Sequence, residues 1–119
     1  MQRGHLQIHP LAGKVTQLDA CKACGGEMVE LHTGEYAHAT SDADRQAWVD
    51  RLRTQARYAN KLGLVAAAGH GLDYRNIGAL LTIDEIVEYN IGHSIVAHAL
   101  FVGFERAVRE MVALLRQPR

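Results

Sequence analysis

The sequence has no excess of charge of either sign: Lys and Arg total 13, Asp and Glu total 13, and the formal net charge is zero. Nothing in that balance would neutralise a phosphate backbone, which argues against a dedicated nucleic-acid binder. Long hydrophobic runs are also missing. No stretch approaches the ~20 apolar residues of a membrane span, and residues 1–13 lack the apolar core of a secretory signal. A cytoplasmic protein without a membrane or nucleic-acid partner is expected. Cysteine is scarce, with two residues, Cys21 and Cys24. Low-complexity segments and linkers are absent. What remains is an ordinary globular composition, 48% apolar and 22% charged over 119 residues, enough for one domain and too short for two.

The cysteines form a C-x-x-C pair. A redox pair stands between a strand and a helix, its first thiolate at the helix N-terminus. Here the pattern predicts a helix from about Val15 to Cys24, stopped by Gly25 and Gly26, which sets both thiols near a helix C-terminus, where the dipole disfavours a thiolate. A zinc site would need two more ligands from His5, His9, His32 or His38, and a single pair without a matching second one is weak support. Buried or half-buried helical cysteines are the expectation, and no metal site is assigned.

Residues 1–14 show no period and read as irregular. Thereafter short apolar runs alternate with helical segments. Met28–Leu31, Leu64–Ala68 and Ile86–Ile91 read as strands, ended by His32-Thr33-Gly34, Gly69-His70-Gly71 and Gly92-His93. Ser41 caps a helix whose stripe is Trp48, Leu52, Ala56, Ala59 and Leu62, with Gly63 as its stop. A short helix is expected near Arg75–Leu81. One long terminal helix is expected to carry Phe104, Val108, Met111, Val112 and Leu115 on one face. Strands alternating with helices imply βαβ units, parallel strands and right-handed crossovers.

In such architectures reactive groups gather at the carboxyl ends of the strands, and here each strand ends in them. Glu30 and His32 close the first. His70, between two glycines that leave room for a ligand, follows the second and is able to pass a proton near neutral pH. Gly92 and His93 follow the third and open a helix whose free amides suit phosphate. Each has a plainer reading as well: a strand-end ion pair for Glu30, loop capping for His32, a tight turn at His70 and an ordinary βα turn at Gly92. Asp73 and Arg75 read as solvated loop charges, His98 as structural, and Arg106, Arg109 and Glu110 as the wet face of the last helix.

Three motifs in this order, Val29-Glu30-Leu31-His32-Thr33-Gly34 with Tyr36, Ala68-Gly69-His70-Gly71-Leu72 and Asn90-Ile91-Gly92-His93-Ser94-Ile95, together resemble the pyridoxine 5'-phosphate synthase family. The resemblance runs from about Thr16 to Arg116 and leaves residues 1–14 unmatched. It implies an α/β fold, part of a (β/α)8 barrel: about its last three βα units, the C-terminal half, in residues 15–119. A whole barrel needs about 250 residues. The family condenses 1-deoxy-D-xylulose 5-phosphate with 3-amino-2-oxopropyl phosphate into pyridoxine 5'-phosphate, losing phosphate and water. The resemblance implies His70 as proton donor and Glu30 as the group that stabilises the transition state. It implies Gly71, Gly92 and His93 as holders of the amino-oxopropyl phosphate, and no metal or organic cofactor. The family's other catalytic bases and most of its xylulose-phosphate ligands lie in the first half of its barrel, which has no counterpart here. A truncated or frameshifted gene, an internal start or one half of a split enzyme is therefore expected. Such a chain would form a homo-oligomer or need the N-terminal half. A catalytically inactive half-barrel and, more distantly, a Cys21/Cys24 metal or redox module are the alternatives.

Overall fold

The computed structural model describes residues 5–8 and 15–117. Four parallel strands form one sheet in sequential order: β1 (His5–Ile8), β2 (Met28–His32), β3 (Val65–Gly69) and β4 (Ile86–Asn90). Among the described residues six helices connect or follow them: α1 (Val15–Ala23), α2 (Gly34–His38), α3 (Asp42–Lys61), α4 (Ile77–Leu80), α5 (His93–Val102) and α6 (Phe104–Leu115). β1 corrects the reading of residues 1–14 as irregular. His5–Ile8 pairs with Met28–Leu31, a span too short to show alternation in the sequence. Residues 1–4 and 9–14 of that segment lie outside the described residues.

The α3 signals are realised as read. The Ser41 hydroxyl accepts from the Asp44 amide, and Asp42 and Asp44 sit in the first turn, where acids oppose the helix dipole. Leu52, Ala56 and Ala59 are fully buried. They pack on Val29 and Leu31 of β2 and on Ala66 and Ala68 of β3, in one core with Leu18 of α1, Ile77 and Leu80 of α4, and Met111 of α6. Strand alternation sends Glu30, His32, Ala67 and Gly69 to the opposite face.

Two helical expectations need correction. The turn expected near Arg75–Leu81 is helical only over Ile77–Leu80, because Asp73 and Asn76 use local hydrogen bonds to build a loop first. The single terminal helix is two, broken at Gly103 (φ 88°). Across the break α5 folds back on α6 through His98, whose ring nitrogen lies 2.6 Å from the Glu110 carboxylate. Met111 is buried as expected, whereas Phe104 is exposed and Ala107 takes the inward position beside Met111. The apolar arc of α6 is wider than its contact with the core.

Cys21 is buried in α1, while Cys24 stands exposed just past its end, which corrects the expectation that both are covered. Burial first, then neighbouring Cys24, pushes the Cys21 thiol above its ordinary range. That is the reverse of what a reactive thiolate needs. Among the described residues, no helix is long and apolar enough to cross a membrane.

Candidate active site

The register sets the site. His32, Gly69 and Asn90 are level across β2, β3 and β4, and Glu30 is level with Ala67 and Glu88. The carboxyl ends of three strands therefore form one rim, and the segments leaving them meet above it.

The β3–α4 loop is tightly built. Gly69 and Gly71 flank His70, and both His70 (φ 94°) and Gly71 (φ 75°) have left-handed backbone. For a histidine that conformation costs about 1–3 kcal/mol and persists only where surroundings impose it. The surroundings are specific. The Thr33 hydroxyl lies 2.8 Å from the Gly69 carbonyl and 2.6 Å from the His70 carbonyl. The Asn76 amide donates to the Gly71 carbonyl at 3.0 Å, and the Ser94 hydroxyl donates to the Leu72 carbonyl at 2.8 Å. The first turns of α2 and α5 thus grip the same loop from two sides.

The His70 ring is stacked on His32, centroids 4.4 Å apart with 26° between planes. The Gly34 amide donates to His32 Nδ1 at 3.2 Å and the Glu35 carboxylate lies 3.6 Å from the same nitrogen, so the His32 ring is held by its own segment. Glycine at 34 is required by the close approach. A Cβ there would stand 2.6 Å from His32 Cε1 and 3.1 Å from His70 Cδ2.

Glu30 is anchored on the same rim. Asn90 Nδ2 donates to its Oε2, and a Cβ at Gly69 would come within 3.0 Å of that oxygen. A cavity of about 510 Å³ opens beside this pair, lined by His70, Gly71, Asn90, Gly92, His93 and Ser94 among others. Four of the five residues singled out in the sequence line it, and the fifth, Glu30, borders it through Asn90. At one wall α5 begins at His93, with Gly92 as its N-cap and no side-chain cap bond. Its first amides remain open to an anionic group.

Three contributors escaped the sequence reading. Thr33 and Asn90 stand inside the quoted motifs, but their task depends on register between strands. Ser94 is ordinary at a helix start and acts across 22 positions. Asp73, read as a solvated charge, accepts from the Arg75 and Asn76 amides and shapes the cavity-lining loop.

A parallel α/β fold with an acid, a histidine and an open helix start gathered at one strand-end rim places the chain among the α/β proteins whose reactive groups collect where the strands end. The particular family follows from comparison: the model of the pyridoxal phosphate biosynthesis protein PdxJ matches residues 8–117, and the chain belongs to that family. The match begins within β1, which extends the resemblance beyond its expected start at Thr16. Relatives include the pyridoxine 5'-phosphate synthases of Trichlorobacter lovleyi, 48% identical over 104 residues, of Pseudoalteromonas translucida, 45% over 103, and of Parasynechococcus marenigrum, 49% over 106. These alignments cover 87–89% of this chain but 42–44% of the relatives. The chain spans less than half the length of the curated relatives it matches.

Proposed function

We propose that this chain carries the proton-donating, phosphate-holding part of a pyridoxine 5'-phosphate synthase, the enzyme that condenses 1-deoxy-D-xylulose 5-phosphate with 3-amino-2-oxopropyl phosphate in vitamin B6 biosynthesis. The observation that carries this reading is the convergence of His70, Gly71, Gly92 and His93 on one cavity, with the Glu30 carboxylate pinned at its edge by Asn90. His70 is exposed at the loop apex, within reach of a substrate, and imidazolium is able to protonate a departing oxygen. Glu30 offsets positive charge developing on an iminium-like intermediate. The Gly71, Gly92 and His93 segments hold the phosphate of the amino-oxopropyl substrate with backbone amides at the start of α5. The chemistry requires no metal or organic cofactor.

In this reading residues 15–119, together with β1, belong to the C-terminal half of a (β/α)8 barrel in the cytoplasm. The working site contains a second half that supplies the remaining bases and the xylulose-phosphate ligands. That half is the part of the relatives' length that this sequence does not cover. The bare rim and outer strands favour a second statement: the chain alone does not complete the reaction. The test is an assay for pyridoxine 5'-phosphate with the purified chain, alone and mixed with a polypeptide spanning the rest of a relative such as that of Trichlorobacter lovleyi. Product is expected from the mixture and not from the chain alone, and His70→Ala is expected to remove it. Turnover unaffected by His70→Ala would sink the assignment.

A further inference from the structure

We propose that Thr33 is the positioning residue for His70: its buried hydroxyl shares its one proton between the two carbonyls that flank the His70 Cα, its amide adds a hold on the first of them, and together they keep the imidazole against His32 at the mouth of the cavity. This rests on the reading of His70 as the proton donor.

The Thr33 hydroxyl does not do the usual work of an N-cap. Thr33 is the N-cap of α2, and an N-cap threonine ordinarily accepts a hydrogen bond from an amide of the following turn. Thr33 makes no such bond. One free amide of that turn, Gly34, is taken by His32 Nδ1 instead. The threonine hydroxyl is released, and it is spent on a segment 36 and 37 positions away.

The geometry there is informative. Successive carbonyls of an extended chain point to opposite sides. The Gly69 and His70 carbonyls instead converge on one oxygen, at 2.8 Å and 2.6 Å. They do so because the Cα between them is turned to φ 94°. Holding both flanking peptide planes fixes both backbone dihedrals of His70, and hence the direction in which its side chain leaves the loop. The Thr33 amide also donates to the Gly69 carbonyl at 3.0 Å. That carbonyl keeps a partner without the hydroxyl, whereas the His70 carbonyl depends on the hydroxyl among the bonds described. Thr33 itself is fully buried.

The role separates from mere stability through two variants. Thr33→Val keeps shape and burial and removes the hydroxyl; Thr33→Ser keeps the hydroxyl and removes a methyl. The chain is labelled with 13C at its histidine rings, and the nuclear Overhauser contact between the His32 and His70 rings is measured. We expect Thr33→Val to abolish the contact and shift the His70 ring signals while those of His98 stay in place, and Thr33→Ser to retain it. In the reconstituted mixture, Thr33→Val is expected to lower kcat about 10- to 100-fold with KM changed by less than about twofold, and Thr33→Ser to recover most of the loss. Persistence of the His32–His70 contact in Thr33→Val overturns the proposal, as does an equal loss in Thr33→Ser. If the ring contact responds as expected while His70→Ala leaves turnover intact, the positioning stands and the assignment of His70 as proton donor fails.

Discussion

At the residue scale, the rim is built from positions where only a small or conformationally free residue fits. Gly71 and Gly25 make an instructive pair. Both have positive φ, 75° and 84°, so alanine at either meets the left-handed penalty of about 1–2 kcal/mol. They differ in surroundings. A Cβ at Gly71 would stand 2.7 Å from the Ala37 Cβ, whereas one at Gly25 meets nothing within 4 Å. Gly25→Ala is therefore expected to cost about 1 kcal/mol, and Gly71→Ala about 2–4 kcal/mol because overpacking adds to the backbone strain. Urea unfolding of the two variants checks this, and equal losses would show that α2 yields freely to the His70 loop. Gly71→Ala is further expected to weaken inorganic phosphate binding in the cavity, read by titration, since the loop must shift to admit the methyl.

At the element scale, the α5–α6 hairpin depends on a polar clasp. Glu110 receives the Arg106 guanidinium at 2.9 Å and faces His98 at 2.6 Å. The Arg106 hydrogen bond first, then that of His98, holds the Glu110 carboxyl below its ordinary range. A carboxyl lowered in the folded state contributes stability that is fully present above its unfolded pKa and lost as pH falls through the folded one. Wild type and Glu110→Gln should therefore differ most above the ordinary carboxyl range and converge on acidification below it. Thermal melts across that range measure it, and a gap that widens in acid would contradict the sign. This clasp was invisible in the sequence, where Arg106, Arg109 and Glu110 read as a wet face. Pairing Glu110 with His98 requires the chain reversal at Gly103, and one glycine in a helical pattern does not announce a break. By contrast β2, β3, β4 and α3 were legible, because apolar runs, the Ser41 cap and the stripe through Leu52, Ala56 and Ala59 all agree with the same fold. The reactive residues were legible as strand-end motifs. The supports given by Thr33 and Asn90 were not, since they exist only once His32, Gly69 and Asn90 come level.

At the scale of the whole molecule, the described residues form one sheet with β1 and β4 as its outer strands. Exposed backbone edges of that kind invite pairing with another chain. The β4 end is also apolar. Val87, the extra residue where the β3–β4 register slips between Ala66 and Ala67, is 69% exposed, and on α5 Leu100 and Phe101 are 83% and 88% exposed. Val96 and Phe104 extend the same apolar character along α5 and into α6, and α5 buries none of its residues. Scattered exposed apolar residues are ordinary, but Val96, Leu100, Phe101 and Phe104 on one helical hairpin, in a sheet that also has open outer strands, favour an interaction surface. The purified chain is therefore expected to self-associate, with a mass above that of one chain by light scattering at about 100 μM, a concentration at which even micromolar contacts are populated. Covering a side chain of this size contributes about 1.5–3 kcal/mol, so replacing Leu100 and Phe101 with Asp should weaken association by at least about tenfold per residue. The same pair should leave the His32–His70 ring contact in place, because neither residue lines the cavity. A monodisperse monomer in the unsubstituted chain would mean that the α5 face and the outer strands are tolerated in water. That outcome would remove the structural reason for the chain to take up a second half.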